Sequence, residues 1–193
     1  AALNVGAKVV RRLGTLHKPI VRQARRASRA YDHAADAGRE LRALRDVARV
    51  ASGRDPIVIG PWLSEVGYEV LYWIPFLRWF TDRYRLHEDR LLVLSRGGVR
   101  AWYAGITPHY AEILDLMPPA EFLARNEARR RAEEAGGQKQ LGLGALDHEL
   151  VWYVRERFGV PRAHVCHPSL MYRLFRQFWF GNRALDVVAT HTG

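Results

Sequence analysis

Short apolar runs rich in β-branched residues alternate with stretches of helical period along most of this chain. That alternation restricts the fold more than any other feature. Pro56-Ile-Val-Ile-Gly60 and Leu91-Leu-Val-Leu94 lack polar alternation, as strands buried on both faces require. Ala163-His-Val-Cys166 and Asp186-Val-Val-Ala-Thr190 read as two further strands. Between the first two runs, Val66, Val70, Trp73, Ile74, Leu77 and Phe80 recur at helical spacing, with Ser64 placed to cap the helix. Pro75 lies inside that pattern and predicts a kink, because it removes one backbone donor. Ser95-Arg-Gly-Gly98 is the turn after the second run, and Tyr110 to Met117 reads as a short helical piece stopped by Pro118-Pro119. Residues 124–146 read as the least ordered part of the body, charged and helix-prone over Arg125–Glu134 and of loop composition from Gly136. Asp147 is a good N-cap for a helix through Phe158, which Gly159 and Pro161 end. Pro168-Ser169 opens an aromatic-rich helix that Gly181 closes. Strands alternating with helices predict an α/β fold, a Rossmann-like parallel sheet flanked by helices.

Ahead of this body, over residues 1–55, lies a leader with almost no strand signal. Val9, Val10, Leu13, Leu16, Ile20 and Ala24 recur at three- and four-residue steps among many Lys and Arg, a basic amphipathic helix broken near Pro19. A second helical stretch carries Tyr31, Ala34, Leu41, Leu44 and Val47, and Gly53 and Pro56 end it. The charge of +10 is concentrated here: residues 1–30 hold eight Lys or Arg and no acid. Residues 31–55 are balanced, and residues 56–193 hold seventeen basic and fifteen acidic side chains. A basic domain face is the footprint of a nucleic-acid binder, so the body is not read as one. The leader suits an anionic membrane surface, each basic residue there adding about 1 kcal/mol; a helix packed on its own domain or a neighbour fits the same pattern. One cysteine, Cys166, excludes an internal disulfide framework and favours a reducing compartment. No apolar run approaches a membrane-spanning length, and no signal peptide shows. The expected location is therefore the cytoplasm, peripheral at the inner membrane face. The first residue is not Met and the last strand-like segment ends abruptly, which reads as a chain with missing neighbours.

In parallel sheets ligands bind beyond the carboxyl ends of the strands. That rule selects Gly60 to Tyr68, Ser95 to Gly98, and Cys166 to Ser169. The first joins a strand, a Gly turn and a helix N-terminus, an arrangement suited to anions. It matches neither the dinucleotide fingerprint nor the Walker pattern. Glu65 lies in the turn and reads either as a complement to the helix dipole or as a base. Glu69, one turn later, reads as a solvated helix residue. Trp62 and Tyr68 are the aromatics near enough to the turn to face a sugar ring, with Gly60, Ser64 and Gly67 around them. Ser95, Arg96 and Gly97 offer a hydroxyl, a guanidinium and backbone N–H groups to a phosphate or carboxylate, and a plain Gly-Gly turn explains them equally well. His164, Cys166 and His167 match no zinc spacing, and alternate strand residues face opposite sides, so no metal is expected. His167, before Pro168, can point into the cleft as a ligand or general acid.

The stretch Ile57-Val-Ile-Gly-Pro-Trp-Leu-Ser-Glu-Val-Gly-Tyr-Glu-Val-Leu-Tyr-Trp-Ile-Pro-Phe-Leu-Arg78 resembles the opening of a bacterial glycosyltransferase-like group of GT-B type. His167-Pro-Ser-Leu-Met-Tyr172 resembles a second stretch of that group. The resemblance covers about residues 56–190 and rests on these two segments. It implies an enzyme of two Rossmann-like domains around a cleft, this chain supplying the N-terminal, acceptor-side one. A nucleotide-sugar would be the co-substrate, a glycan or lipid-linked molecule the acceptor, and Glu65 the matching catalytic carboxylate. No cofactor beyond the nucleotide-sugar is implied. The donor-side domain has no counterpart in these residues. A non-catalytic scaffold docked on membrane by its leader is the other reading.

Overall fold

A computed structural model describes residues 31–136, 142–180 and 189. The basic leader over 1–30 lies outside the described residues. So does the strand expected at 186–190, save Ala189, whose backbone is helical. The chain divides into two compact units at Leu41/Arg42. Helix α1, residues 31–51, runs across that division. Its part in the first unit carries an Arg39–Asp36 ion pair one turn apart.

The second unit is built on four parallel strands: β1 (Ile57–Ile59), β2 (Leu91–Ser95), β3 (Tyr110–Glu112) and β4 (His164–Cys166). Their order is β3-β2-β1-β4. Ile57 pairs with Leu91 on one side and His164 on the other, and Val93 pairs with Tyr110. The helices are α2 (Val66–Tyr68), α3 (Ile74–Tyr84), α4 (Ile113–Leu116), α5 (Pro119–Gly136), α6 (Ala145–Phe158) and α7 (Pro168–Phe180).

Successive strand side chains point to opposite faces, so the sheet has two cores. Ile57, Ile59, Leu91, Val93, Tyr110 and Cys166 pack with Phe76, Leu77 and Phe80 of α3 and Met171, Leu174 and Phe175 of α7. Ala43, Val47 and Ala51, from the last turns of α1, are buried in the same cluster. Val58, Leu92, Leu94 and Ala111 pack on the other face with Ile113 of α4 and Leu150, Val151 and Val154 of α6. Each large side chain withdrawn from water this way contributes about 1.5–3 kcal/mol.

Three expectations change. Tyr110–Glu112 is a strand, with only Ile113–Leu116 helical after it. The segment is too short for periodicity to separate the two. Residues 124–136 belong to α5, where Arg125–Glu121 and Arg131–Glu127 pairs one turn apart support a helix with little apolar surface. Asp147 is not the N-cap of α6. It sits inside the first turn, and its Oδ2 accepts from the Gly144 N–H at 2.7 Å.

Between α2 and α3 the chain makes a π-helical turn over Glu69–Trp73, closed by the Ile74 N–H on the Glu69 carbonyl. Pro75 supplies the cause. Proline cannot donate to the carbonyl four residues back and its ring crowds that carbonyl, so the turn before it widens. The extra residue rotates the preceding turns by about 100°. Val66 and Val70, which an unbroken period would bury, are 46% and 44% exposed, and Glu69 turns inward with no exposure at all. Among the described residues no helix is long and apolar enough to cross a membrane.

Candidate site at the carboxyl ends of the strands

The strand order runs outward from β1 through β2 to β3 and returns to the far side of β1 for β4. The crevice between the carboxyl ends of β1 and β4 is the place where such sheets hold ligands. Gly60 leaves β1 there with φ +115°, followed by a cis bond to Pro61. Its N–H donates to the Cys166 carbonyl at 2.9 Å, and the Trp62 N–H donates to the Leu94 carbonyl at 3.2 Å. A Cβ at position 60 would sit 2.3 Å from the Leu94 carbonyl oxygen, so only glycine fits.

Beyond Gly60 the turn exposes Glu65, which has extended backbone and stands as the N-cap of α2 without a capping side-chain bond. Ser64 therefore does not cap the helix, being one residue too early. Its hydroxyl lies 3.4 Å from that of Tyr172 on α7. Arg129 of α5 donates to the Leu63 carbonyl at 3.1 Å. Gly67 is open: a Cβ there would meet no atom within 4 Å. Tyr68 is 39% exposed and rests on Tyr72 and Trp179. Trp62, by contrast, is buried, with Trp73 stacked at 5.6 Å and Tyr172 at 6.4 Å. It forms the floor of the crevice and offers no free ring face; Tyr68 and Tyr172 are the aromatics that reach the surface.

Glu69 departs furthest from its expected place. Far from solvated, its carboxylate is enclosed over the end of β2. Oε1 accepts from the Ser95 hydroxyl at 2.7 Å and the Tyr103 hydroxyl at 2.6 Å. Oε2 lies 3.4 Å from Nε of Arg96. Burial pushes the Tyr103 hydroxyl pKa far above its ordinary value, and the charge of Glu69 and the hydrogen bond to it push the same way, so Tyr103 stays a proton donor. Ser95 is thus committed to Glu69. Arg96, about one-third exposed at the side chain, also donates from a terminal nitrogen to the Ser64 carbonyl.

The turn after β2 is already occupied by an internal anion. The Gly98 N–H donates to Glu112 Oε1 at 3.1 Å, and Glu112 Oε2 would meet a side chain at Gly97 at 3.0 Å. The backbone donors expected there for a phosphate are therefore engaged in part by Glu112. Burial, then the charges of Glu112 and Glu69, raise the neighbouring Tyr110 hydroxyl to about 12.

His167 is 3% exposed and lies behind the crevice surface. Its Nδ1 accepts from the Ser169 N–H at 3.2 Å, which leaves Nε2 to face Asp147 Oδ1 at 3.6 Å. His164 faces Asp55 at 3.9 Å, and Cys166 is buried, so the three side chains do not converge. Among the described residues no three His, Cys, Asp or Glu side chains gather around a point where a metal ion could sit.

The site residues that sequence reasoning missed are Glu69, Tyr103, Tyr172 and Asp147. Glu69 had a readable signal: it stands four residues before Trp73, on the line of the buried stripe once Pro75 has added a residue to the turn. Comparison with known proteins yields no match: no family model, no curated protein and no solved structure matches the chain.

Proposed function

We propose that this chain is the Rossmann-like, acceptor-side half of a glycosyltransferase of GT-B type. One observation carries the reading. The two segments that bear the resemblance, 57–78 and 167–172, meet at a single sheet edge although they lie far apart in the sequence. They join through the Gly60–Cys166 hydrogen bond, the Tyr172–Ser64 contact and the stacking of Tyr172 on Trp62. The order β3-β2-β1-β4 also agrees with the first four strands of doubly wound sheets, whose ligands lie between β1 and β4.

In the proposed reaction Glu65 accepts the proton of an acceptor hydroxyl while that oxygen bonds to the anomeric carbon of an activated sugar. The bond from that carbon to the leaving phosphate oxygen breaks, and a nucleoside diphosphate departs. Its charge is carried by N–H groups and a cation of the donor-side half. Tyr68 and Tyr172 line the acceptor's path, with Ser64 and Gly67 beside it and Arg96 at its rim. Trp62 and His167 support them from beneath. The nucleotide-sugar is a co-substrate, and neither cofactor nor metal enters the proposal. The protein works in the cytoplasm in this reading. The full-length protein, incubated with a panel of nucleotide-sugars and lipid-linked or glycan acceptors, should release nucleoside diphosphate. No release with any donor would overturn the assignment.

The charge of residues 1–30 favours a second reading, a non-catalytic scaffold held on an anionic membrane. It expects flotation with anionic vesicles that salt abolishes, and no effect of nucleotide-sugars on melting. Nucleic acid is not among the proposed partners.

A further inference from the structure

We infer that Glu69 and Arg96 are positioning residues for the turn that carries Glu65, an inference that rests on the reading of Glu65 as the base. The π-helical turn is what brings a carboxylate into the protein at position 69, and such turns recur at functional sites. Ser95 and Tyr103 fix one oxygen of that carboxylate. The other faces Arg96 Nε across 3.4 Å. A guanidinium is a rigid planar fork, so holding its Nε sets the direction of its terminal nitrogens. One of these donates to the carbonyl of Ser64, the residue next to Glu65. The turn has few other ties: Glu65 itself makes no capping bond, and Gly67 has open space around it. A buried anion on the helix therefore aims a cation from the end of β2 at the backbone beside Glu65. Glu69 touches no substrate in this arrangement and acts only through Arg96.

The test is amide hydrogen exchange and steady-state transfer on the full-length protein with Glu69→Gln and Arg96→Lys. Gln keeps an acceptor for Ser95 and Tyr103 but loses the charge that holds Arg96. Lys keeps the charge but has one point donor in place of the fork. Exchange in residues 62–66 should rise about tenfold in both variants, while β1, β2 and α3 stay at wild-type protection. With this change kcat should fall about tenfold and the KM for the nucleotide-sugar should stay unchanged. Unchanged exchange at 62–66, or a rise spread equally over the whole unit, would overturn the proposal. A local rise with wild-type kcat would uphold the positioning and instead remove Glu65 from the chemistry. Should Glu69→Gln fail to fold, Arg96→Lys alters only a partly exposed side chain and carries the test alone.

Discussion

Replacing Glu69 with Ala should destabilise the second unit by about 3 kcal/mol, and Glu69→Gln should cost only about 1 kcal/mol. The figures follow from what each change leaves behind. Ala removes the acceptor shared by Ser95 and Tyr103, both essentially without exposure. A buried hydroxyl left without a partner costs about 1–3 kcal/mol. The Ser95 and Tyr103 hydroxyls can turn to one another, so about one such cost remains. A cavity the size of a carboxyethyl group adds a further 1–2 kcal/mol or so. Losing the carboxylate also relieves its desolvation, and Arg96 is exposed enough to find water, so no large ion-pair cost is added. Gln fills the same volume and keeps one acceptor oxygen, hence the smaller effect. Urea unfolding measures both variants. In a thermal scan Ala should lower the midpoint by about 6–12 °C, from about 2–4 °C per kcal/mol at this size. An Ala variant within about 0.5 kcal/mol of wild type would refute the network.

Gly60→Ala should cost about 3 kcal/mol or more, because the backbone is left-handed there and the new carbon would collide with the Leu94 carbonyl; a denaturant midpoint near wild type would contradict that packing. Burial pushes the Cys166 thiol well above its ordinary value, so an aromatic disulfide reagent should label it only as the protein unfolds, in step with the change in tryptophan fluorescence; fast labelling of the folded protein would contradict the burial. Burial alone would raise the Asp46 carboxyl, but the hydrogen bonds and charges of Arg173 and Arg49 outweigh it and hold the pKa below 3.8. The group is more acidic folded than unfolded, so its contribution to stability is full above the unfolded value and is lost as pH falls through the folded one. Asp46→Asn should therefore flatten the acid limb of the stability curve below about pH 4, and an unchanged limb would show that the pair contributes nothing there.

Much of the fold is legible because buried parallel strands and amphipathic helices leave different periods. Ile57–Ile59 and Leu91–Ser95 are continuous apolar runs and form the two central strands. The strand at Tyr110–Glu112 is hidden because three residues carry no period, and its pairing with β2 decides its form. The candidate site is legible in place but not in chemistry. Strand ends mark where a crevice must lie, and the three turns selected on that ground do line the sheet edge. What each side chain does there depends on tertiary partners. Trp62 becomes a floor because Trp73 and Tyr172 cover it, and His167 goes inward to Asp147. An unbroken helical period puts Val70 inside and Glu69 in solvent; the one-residue shift from Pro75 reverses the two.

The central claim is that the edge between β1 and β4 delivers an acceptor hydroxyl to Glu65. The most direct measurement is single-turnover transfer by the full-length protein with Glu65→Gln, beside a melting curve for the same sample. The account predicts transfer slowed by about 10²–10⁴-fold, the range for a lost general base. The melting midpoint should not move, since Glu65 is exposed and holds no capping bond. Wild-type transfer by the variant would contradict the claim.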